Sequence, residues 1–327
     1  MKRIIVIISF LSISLSGYSQ FERIEFETDS SNVELIRNSV YRIWEETFKD
    51  KDSVFYSVRF INDTTQLNTE GWKNKEGKYL GIWKEFNEDG KLMYERDHDN
   101  AMCKINKSLY SYHDMLEEMK RKADSLIITA YSKEFFENNV RFNFSCYAYD
   151  EDGYVGTWIE PMKRKPTKFL FRYQVRLRTS DWYDEMIGIE LDEKGKYIPN
   201  KGFWNNYGFE KLEGQKRTFE IDKIKAIESA KEHGLVNFKA NEVDEFLTWE
   251  RFKKAEFYNG QFRYYITELV DKIEYKEGEN RKGIVFKFNV YSFNPWTGEF
   301  IEKKKMKSIK EWGENSGYTT GLIPDNE

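Results

Sequence analysis

Four potential metal ligands fall within five residues at Glu95-Arg96-Asp97-His98-Asp99. In an extended strand Glu95, Asp97 and Asp99 share one face, and oxygen donors grouped in that way suit a hard divalent cation. Working sites draw ligands from several elements, so the competing expectation is a solvated strand end. A second cluster is aromatic, running Phe203-Trp204-Asn205-Asn206-Tyr207. Flat rings beside amides are what a sugar platform uses, and Phe203, Trp204 and Tyr207 with Trp182 define a ligand-binding candidate. Packing between structural units is the competing expectation, because large aromatics usually bury their area.

The remaining reactive side chains are few. His98, His113 and His233 belong to no His-Glu-x-x-His helix and no recognisable triad. His113 stands one helical turn from Glu117, a surface pairing, and His233 falls at a helix C-terminus, where a cation complements the dipole. Cys146 shares a strand face with Phe142 and Phe144, which fits a buried thiol. A bridge between Cys103 and Cys146 is the alternative, and closing a loop of that length stabilises by about 4 kcal/mol in the chain-entropy model. No Gly-x-Ser-x-Gly elbow or phosphate loop is present, and 56 carboxylates are too many to single out an acid–base couple. No catalytic residue is assigned and no cofactor is expected.

Three segments carry helical periodicity. The first, 32–48, places Val33, Ile36, Val40, Ile43, Trp44 and Phe48 on one stripe behind a Ser31/Glu34 capping box. The second, about 112–131, has the stripe Tyr112, Met115, Leu116, Met119, Ala123, Leu126, Ile127 and Ala130 behind a Ser111/Asp114 box. The third, 222–233, turns Ile224, Ile227 and Ala230 inward, with Gly234 as its stop. Strand patterns fill the intervals: Phe169, Phe171, Tyr173, Val175 and Leu177 alternate with Leu170, Arg172, Gln174 and Arg176, predicting one buried and one wet face. The expected fold class is α+β, as tandem helix-plus-antiparallel-sheet units with segments 20–105, 106–205 and 206–327.

Lys2 and Arg3 precede the apolar run Ile4–Leu15, and Ser16-Gly17-Tyr18-Ser19 follow. That layout predicts a signal peptide, residues 1–19, and an exported protein of the periplasm or medium. The run is shorter than the ~20 residues of a membrane-spanning helix, so no span is expected in the mature chain. Loss of Lys2 and Arg3 takes the net charge from −4 to about −6. A mild acidic excess argues against nucleic acid as partner. Aromatics at 17% with only five prolines suit sheets with aromatic faces.

Two local resemblances add expectations. Gly81-x-Trp83-x-x-Phe86-x-x-x-Gly90-x-Leu92, with Gly71-Trp72 and Gly77-Lys78-Tyr79 as a partial second copy, resembles a MORN-type repeat, which implies a short hairpin within 71–96. Ile224-Lys225-Ala226-Ile227-Glu228-Ser229-Ala230, then Ile284–Tyr291, then Thr297-Gly298-Glu299 resembles a PepSY-type or cystatin-like module; Asn294 and Pro295 stand where that family has an Asp. The resemblance implies an exported, non-catalytic binding module. The expected function is therefore a non-catalytic binding or scaffold protein of the bacterial cell envelope, with a protein or peptide of the envelope, or a glycan, as partner. A carbohydrate-binding module using the aromatic platform, or a hydrolase whose carboxylates converge only in the fold, is the alternative.

Overall fold

Strands account for 56% of the described residues and helices for 15%, with three α-helices among them. The computed structural model describes residues 6–7, 22–60, 66–177, 182–198, 207–208, 218–236, 243–251, 260–277, 281–313 and 317–325. The expected α+β arrangement of helix-led units is thus overturned in favour of a β-rich fold. The chain separates into two compact units, Met1–Met115 with Tyr154–Lys165, and Leu116–Gly153 with Pro166–Glu327.

The first unit is built on nine strands that pair in chain order: β1 (Val6–Ile7), β2 (Glu22–Glu27), β3 (Ser31–Arg37), β4 (Tyr41–Phe48), β5 (Val54–Phe60), β6 (Leu67–Lys73), β7 (Tyr79–Phe86), β8 (Leu92–Asp97) and β9 (Met102–Ile105). Apart from Val6–Ile7, which pairs with β2, the expected signal peptide lies outside the described residues. The segment expected to be a helix, 32–48, is the β3–β4 hairpin, with Leu35 opposite Trp44 and Ile36 opposite Ile43. Local chemistry explains the difference. The Asn38 side chain accepts from the amides of Val40 and Tyr41 at 2.8 and 2.7 Å, which closes a turn inside the supposed helix. The residues around it are β-branched or aromatic and suit a pleated surface. Ser31 and Glu34 cap nothing: the Ser31 hydroxyl donates to Glu46 at 2.7 Å, and Glu34 accepts from Arg23 at 2.9 Å.

The β7–β8 hairpin turns through Asn87–Gly90, where the Asn87 carboxamide accepts from the amides of Asp89 and Lys91 and Gly90 has φ +73°. Trp83 on β7 lies flat over Gly71 of β6, and its indole N–H donates to the Trp72 carbonyl at 2.7 Å. Residues 106–115 and 154–165 also belong to this unit and pack against each other. The Tyr110 hydroxyl donates to the Ile159 carbonyl at 2.9 Å, and the His113 and Trp158 rings meet edge-on at 4.8 Å. His113 is buried here, not at a solvated helix face.

From Leu116 on, the second unit holds most of α1 (His113–Ala130), then α2 (Lys133–Asn139), β10 (Val140–Asp150), β12 (Lys168–Val175) and β13 (Tyr183–Asp192), while β11 (Gly153–Thr157) falls almost wholly in the 154–165 segment of the first. Leu116, Met119, Ala123, Ile127 and Ala130 of α1 are buried, as their spacing predicts. The Tyr173 hydroxyl donates to Asp124 of α1 at 2.8 Å, so the helix covers the Phe169, Phe171 and Tyr173 face of β12. The opposite face is drier than the alternation predicts, because Leu170 and Gln174 are buried too. In β10 the ladder slips between Phe142 and Ser145, with Phe144 at φ +60° in the bulge.

α3 (Lys223–Glu232) starts where the Asp222 carboxylate accepts from the Lys225 amide at 2.9 Å. It buries Ala226, Ile227 and Ala230, whereas Ile224, expected inside, is 71% exposed. β14 (Val243–Arg251), β15 (Gly260–Glu277), β16 (Arg281–Phe293), β17 (Phe300–Trp312) and β18 (Gly317–Thr319) pair in that order, and β19 (Ile323–Pro324) also pairs with β17. One aromatic cluster draws on both sides of the expected boundary at 205. Tyr131 and Phe135 from the α1–α2 region meet Phe219, Phe262 and Trp296, with Phe219 and Trp296 ring centres 4.3 Å apart.

Candidate functional site

The pairing register of β3, β4 and β5 gathers three arginines into one cross-strand row on a face of the first sheet that also carries Glu22 and Glu46. Arg37 stands opposite Arg42, and Arg42 opposite Arg59. The next row on that face is Leu35, Trp44 and Ser57, and the row after it is Val33, Glu46 and Phe55. On the other face Glu25, Glu34, Glu45 and Tyr56 form a single cross-strand row. Both orders follow from the period of two along each strand, once the Asn38 turn has fixed the register.

A cleft of about 320 Å³ on the arginine face is lined by Arg42, Trp44, Phe55, Ser57 and Arg59. Its aromatic walls pack against neighbouring rings of the same face. Phe26 packs edge-on to Trp44 at 5.8 Å, and Trp72, itself against Phe48, packs edge-on to Phe55 at 5.2 Å. Ser57 is buried at the floor, and the two arginines are half-buried. Like charges directly opposite one another in a sheet are destabilising. Of the carboxylates on this face, Glu22 engages Arg37 at 3.3 Å and Glu46 accepts from Ser31. Among the described residues the buried Nε atoms of Arg37 and Arg42 have no acceptor. The cleft therefore combines a cationic end, a flat apolar wall and a hydroxyl.

The glutamate face is balanced from within. Arg23 pairs with both Glu25 and Glu34 at 2.9 Å, Lys73 with Glu45 at 2.5 Å, and Lys49 with Glu27. Lys73 also sits over the Tyr56 ring, 4.9 Å from its centre. A broad hollow of about 900 Å³ lies on this side, lined by Glu25, Glu34, Glu45, Asn32 and Thr47 among others. Its cations are already supplied by the protein.

The residues singled out in sequence meet different fates. Phe203 and Trp204 lie outside the described residues. Tyr207 is half-buried, and its backbone exchanges hydrogen bonds with Gly188 at 2.9 and 3.3 Å. Trp182 has the guanidinium groups of Arg141 and Arg176 against its ring at 4.4 and 4.6 Å, so side chains of the protein already occupy it. In the acidic run, Asp97 accepts from the amides of Asp99 and Asn100 and from the Asn100 side chain, while Asp99 accepts from the Gly81 amide. Glu95 lies between Lys84 and Lys104 in the ladder. The run shapes a β-turn, and among the described residues no three metal-binding side chains converge. Cys103 and Cys146 are free thiols, and burial pushes Cys103 up to about 12 and Cys146 higher still.

His98 packs against Tyr79 at 5.1 Å and against Trp83 at 6.2 Å. Burial, aided by Arg96, lowers its pKa from 6.5 to about 4. The unfolded chain takes up this proton near pH 6.5 and the folded chain only near pH 4. Its contribution to stability is therefore complete above 6.5 and declines as pH falls through that window. Equilibrium urea unfolding at pH 7 and pH 4.5 should show a smaller acid loss in His98→Phe than in the wild type; equal losses would remove His98 from the account.

Arg37, Arg42 and Arg59 were not singled out in sequence. The signal that finds them is the strand assignment of 31–60, without which they are scattered cations. Compared with known proteins, the chain matches no family model, no curated protein and no solved structure.

Proposed function

We propose that this chain is an exported, non-catalytic binding protein of a bacterial cell envelope, and that it holds its partner on the arginine face of the first sheet. The observation that carries the reading is the cleft of Arg42, Trp44, Phe55, Ser57 and Arg59, where cations stand in register beside supported aromatic rings. Export rests on the Lys2-Arg3 and Ile4–Leu15 pattern. The placement of the reactive side chains favours binding over catalysis. His98 and His113 pack among aromatic rings, His233 stacks on Phe300 at 3.6 Å, and both thiols are held protonated by burial.

A photo-crosslinking residue placed at Trp44 in the producing cell tests the reading. It should yield an adduct with an envelope component, and the same residue at Thr47, on the glutamate face, should not. Adducts only from position 47, or from neither position, would contradict it.

A further inference from the structure

We infer that the cleft between β4 and β5 takes an acidic sugar, a uronic acid residue of a carboxylated glycan. The inference rests on the binding reading above and names its ligand.

Each wall of the cleft sets one requirement. Arg42, whose buried Nε has no acceptor among the described residues, stands in the ladder between Arg37, which Glu22 engages, and Arg59, so the ligand that satisfies it carries negative charge, and the planar guanidinium fork matches a carboxylate. Trp44 and Phe55 offer flat apolar area, which the C–H face of a pyranose ring covers and a bare inorganic anion does not. Ser57 supplies one hydroxyl that both donates and accepts, as a sugar hydroxyl requires. A volume of about 320 Å³ stands at the lower end of small-molecule sites, enough for one sugar ring.

The ligand is a polymer unit because the aromatic surface continues beyond the cleft. Trp72 stands directly opposite Phe55 on the same face, 40% exposed. A chain lying across the strands would meet Trp44, Phe55 and Trp72 in succession.

Tryptophan fluorescence titration of the full chain with a short oligogalacturonate tests this, beside the neutral oligosaccharide of the same length, an oligoglutamate peptide of equal charge, and inorganic sulfate. The expected result is saturable binding of the oligogalacturonate alone, weakened by salt. Arg42→Ala should cost about tenfold or more in affinity. Arg42→Lys should recover only part of the loss, because a lysine keeps the charge without the fork. Trp44→Leu should weaken binding while leaving the salt dependence in place. Circular dichroism and thermal melting confirm that each variant is folded before it is titrated.

Equal binding of the neutral sugar, or no loss in a folded Arg42→Ala/Arg59→Ala double variant, overturns the inference. So does an equal response to sulfate, which would make the cleft a simple anion site, or tighter binding of oligoglutamate, which would make it a peptide site. No sugar binding together with a persistent adduct from position 44 would sink the acidic-sugar assignment and leave the binding reading standing. Loss of both would remove both.

Discussion

Phe219→Ala should destabilise the second unit by about 3–5 kcal/mol, the range for removing a fully buried phenylalanine. The side chain has no solvent exposure. Its ring meets Trp296 at 4.3 Å, Phe135 edge-on at 5.2 Å and Phe262 edge-on at 5.9 Å. Aromatic pairs of this kind contribute about 0.5–1.5 kcal/mol beyond the area they bury. The neighbours come from α2, from β15 and from the turn before β17, so they cannot collapse into the space without moving three elements. Thermal unfolding should shift down by roughly 6–20 °C. The α1–α2 helical signal and the sheet signal should be lost together, because one cluster serves both. Phe219→Leu should retain most of the stability. A loss below about 1 kcal/mol, or helices that outlast the sheet, would show that the cluster does not unite these elements.

Gly71→Ala should have an effect of similar size in the first unit. A Cβ at Gly71 would fall 2.2 Å from Cδ2 of Trp83 and within 2.5 Å of two more indole atoms. Trp83 cannot yield easily, since it is buried, bonded to the Trp72 carbonyl, and packed against Tyr79 at 4.3 Å and Tyr56 at 5.6 Å. The added methyl must expel the indole or part β6 from β7. Expulsion approaches the ~3–5 kcal/mol cost of losing a buried tryptophan. In a Trp83→Ala background the methyl meets open space, so the two changes should be strongly non-additive by urea denaturation, coupled by about 1 kcal/mol or more. Additive losses would mean that Gly71 is not there to admit the indole.

Parts of the fold were legible because their residues permit one reading. The α1 stripe from Leu116 to Ala130 has helical spacing and helix-forming residues between, and Ile227 and Ala230 ahead of the Gly234 stop mark α3. Residues 32–48 permitted two readings. Val33, Ile36, Val40 and Ile43 fit a helical stripe, yet the β3 and β4 residues are apolar on both faces of a sheet, which blurs the alternation a strand normally shows. The deciding group was one carboxamide, Asn38, whose turn chemistry outweighs the pattern around it. The glycines at the turns were legible as turn residues. Gly71, which serves a close approach instead of a turn, was not.

The candidate site was illegible for the same reason. Arg37, Arg42 and Arg59 form a row only after two hairpin registers are known, and a one-residue slip would send each to the opposite face. The conspicuous motifs, by contrast, were spent locally. Asp97 and Asp99 hold a turn, and Trp182 is covered by Arg141 and Arg176. Side chains crowded together in sequence tend to bond to one another, whereas ligand-facing groups here are assembled from separate strands.

Amide hydrogen exchange on the full chain, recorded with and without saturating oligogalacturonate, locates the bound surface directly. Slowed exchange should concentrate in β4 and β5, at 41–48 and 54–60, with weaker protection at 67–73. Protection at 201–209 or in the second unit, with 41–60 unchanged, would contradict the claim that the arginine face of the first sheet is where this protein binds.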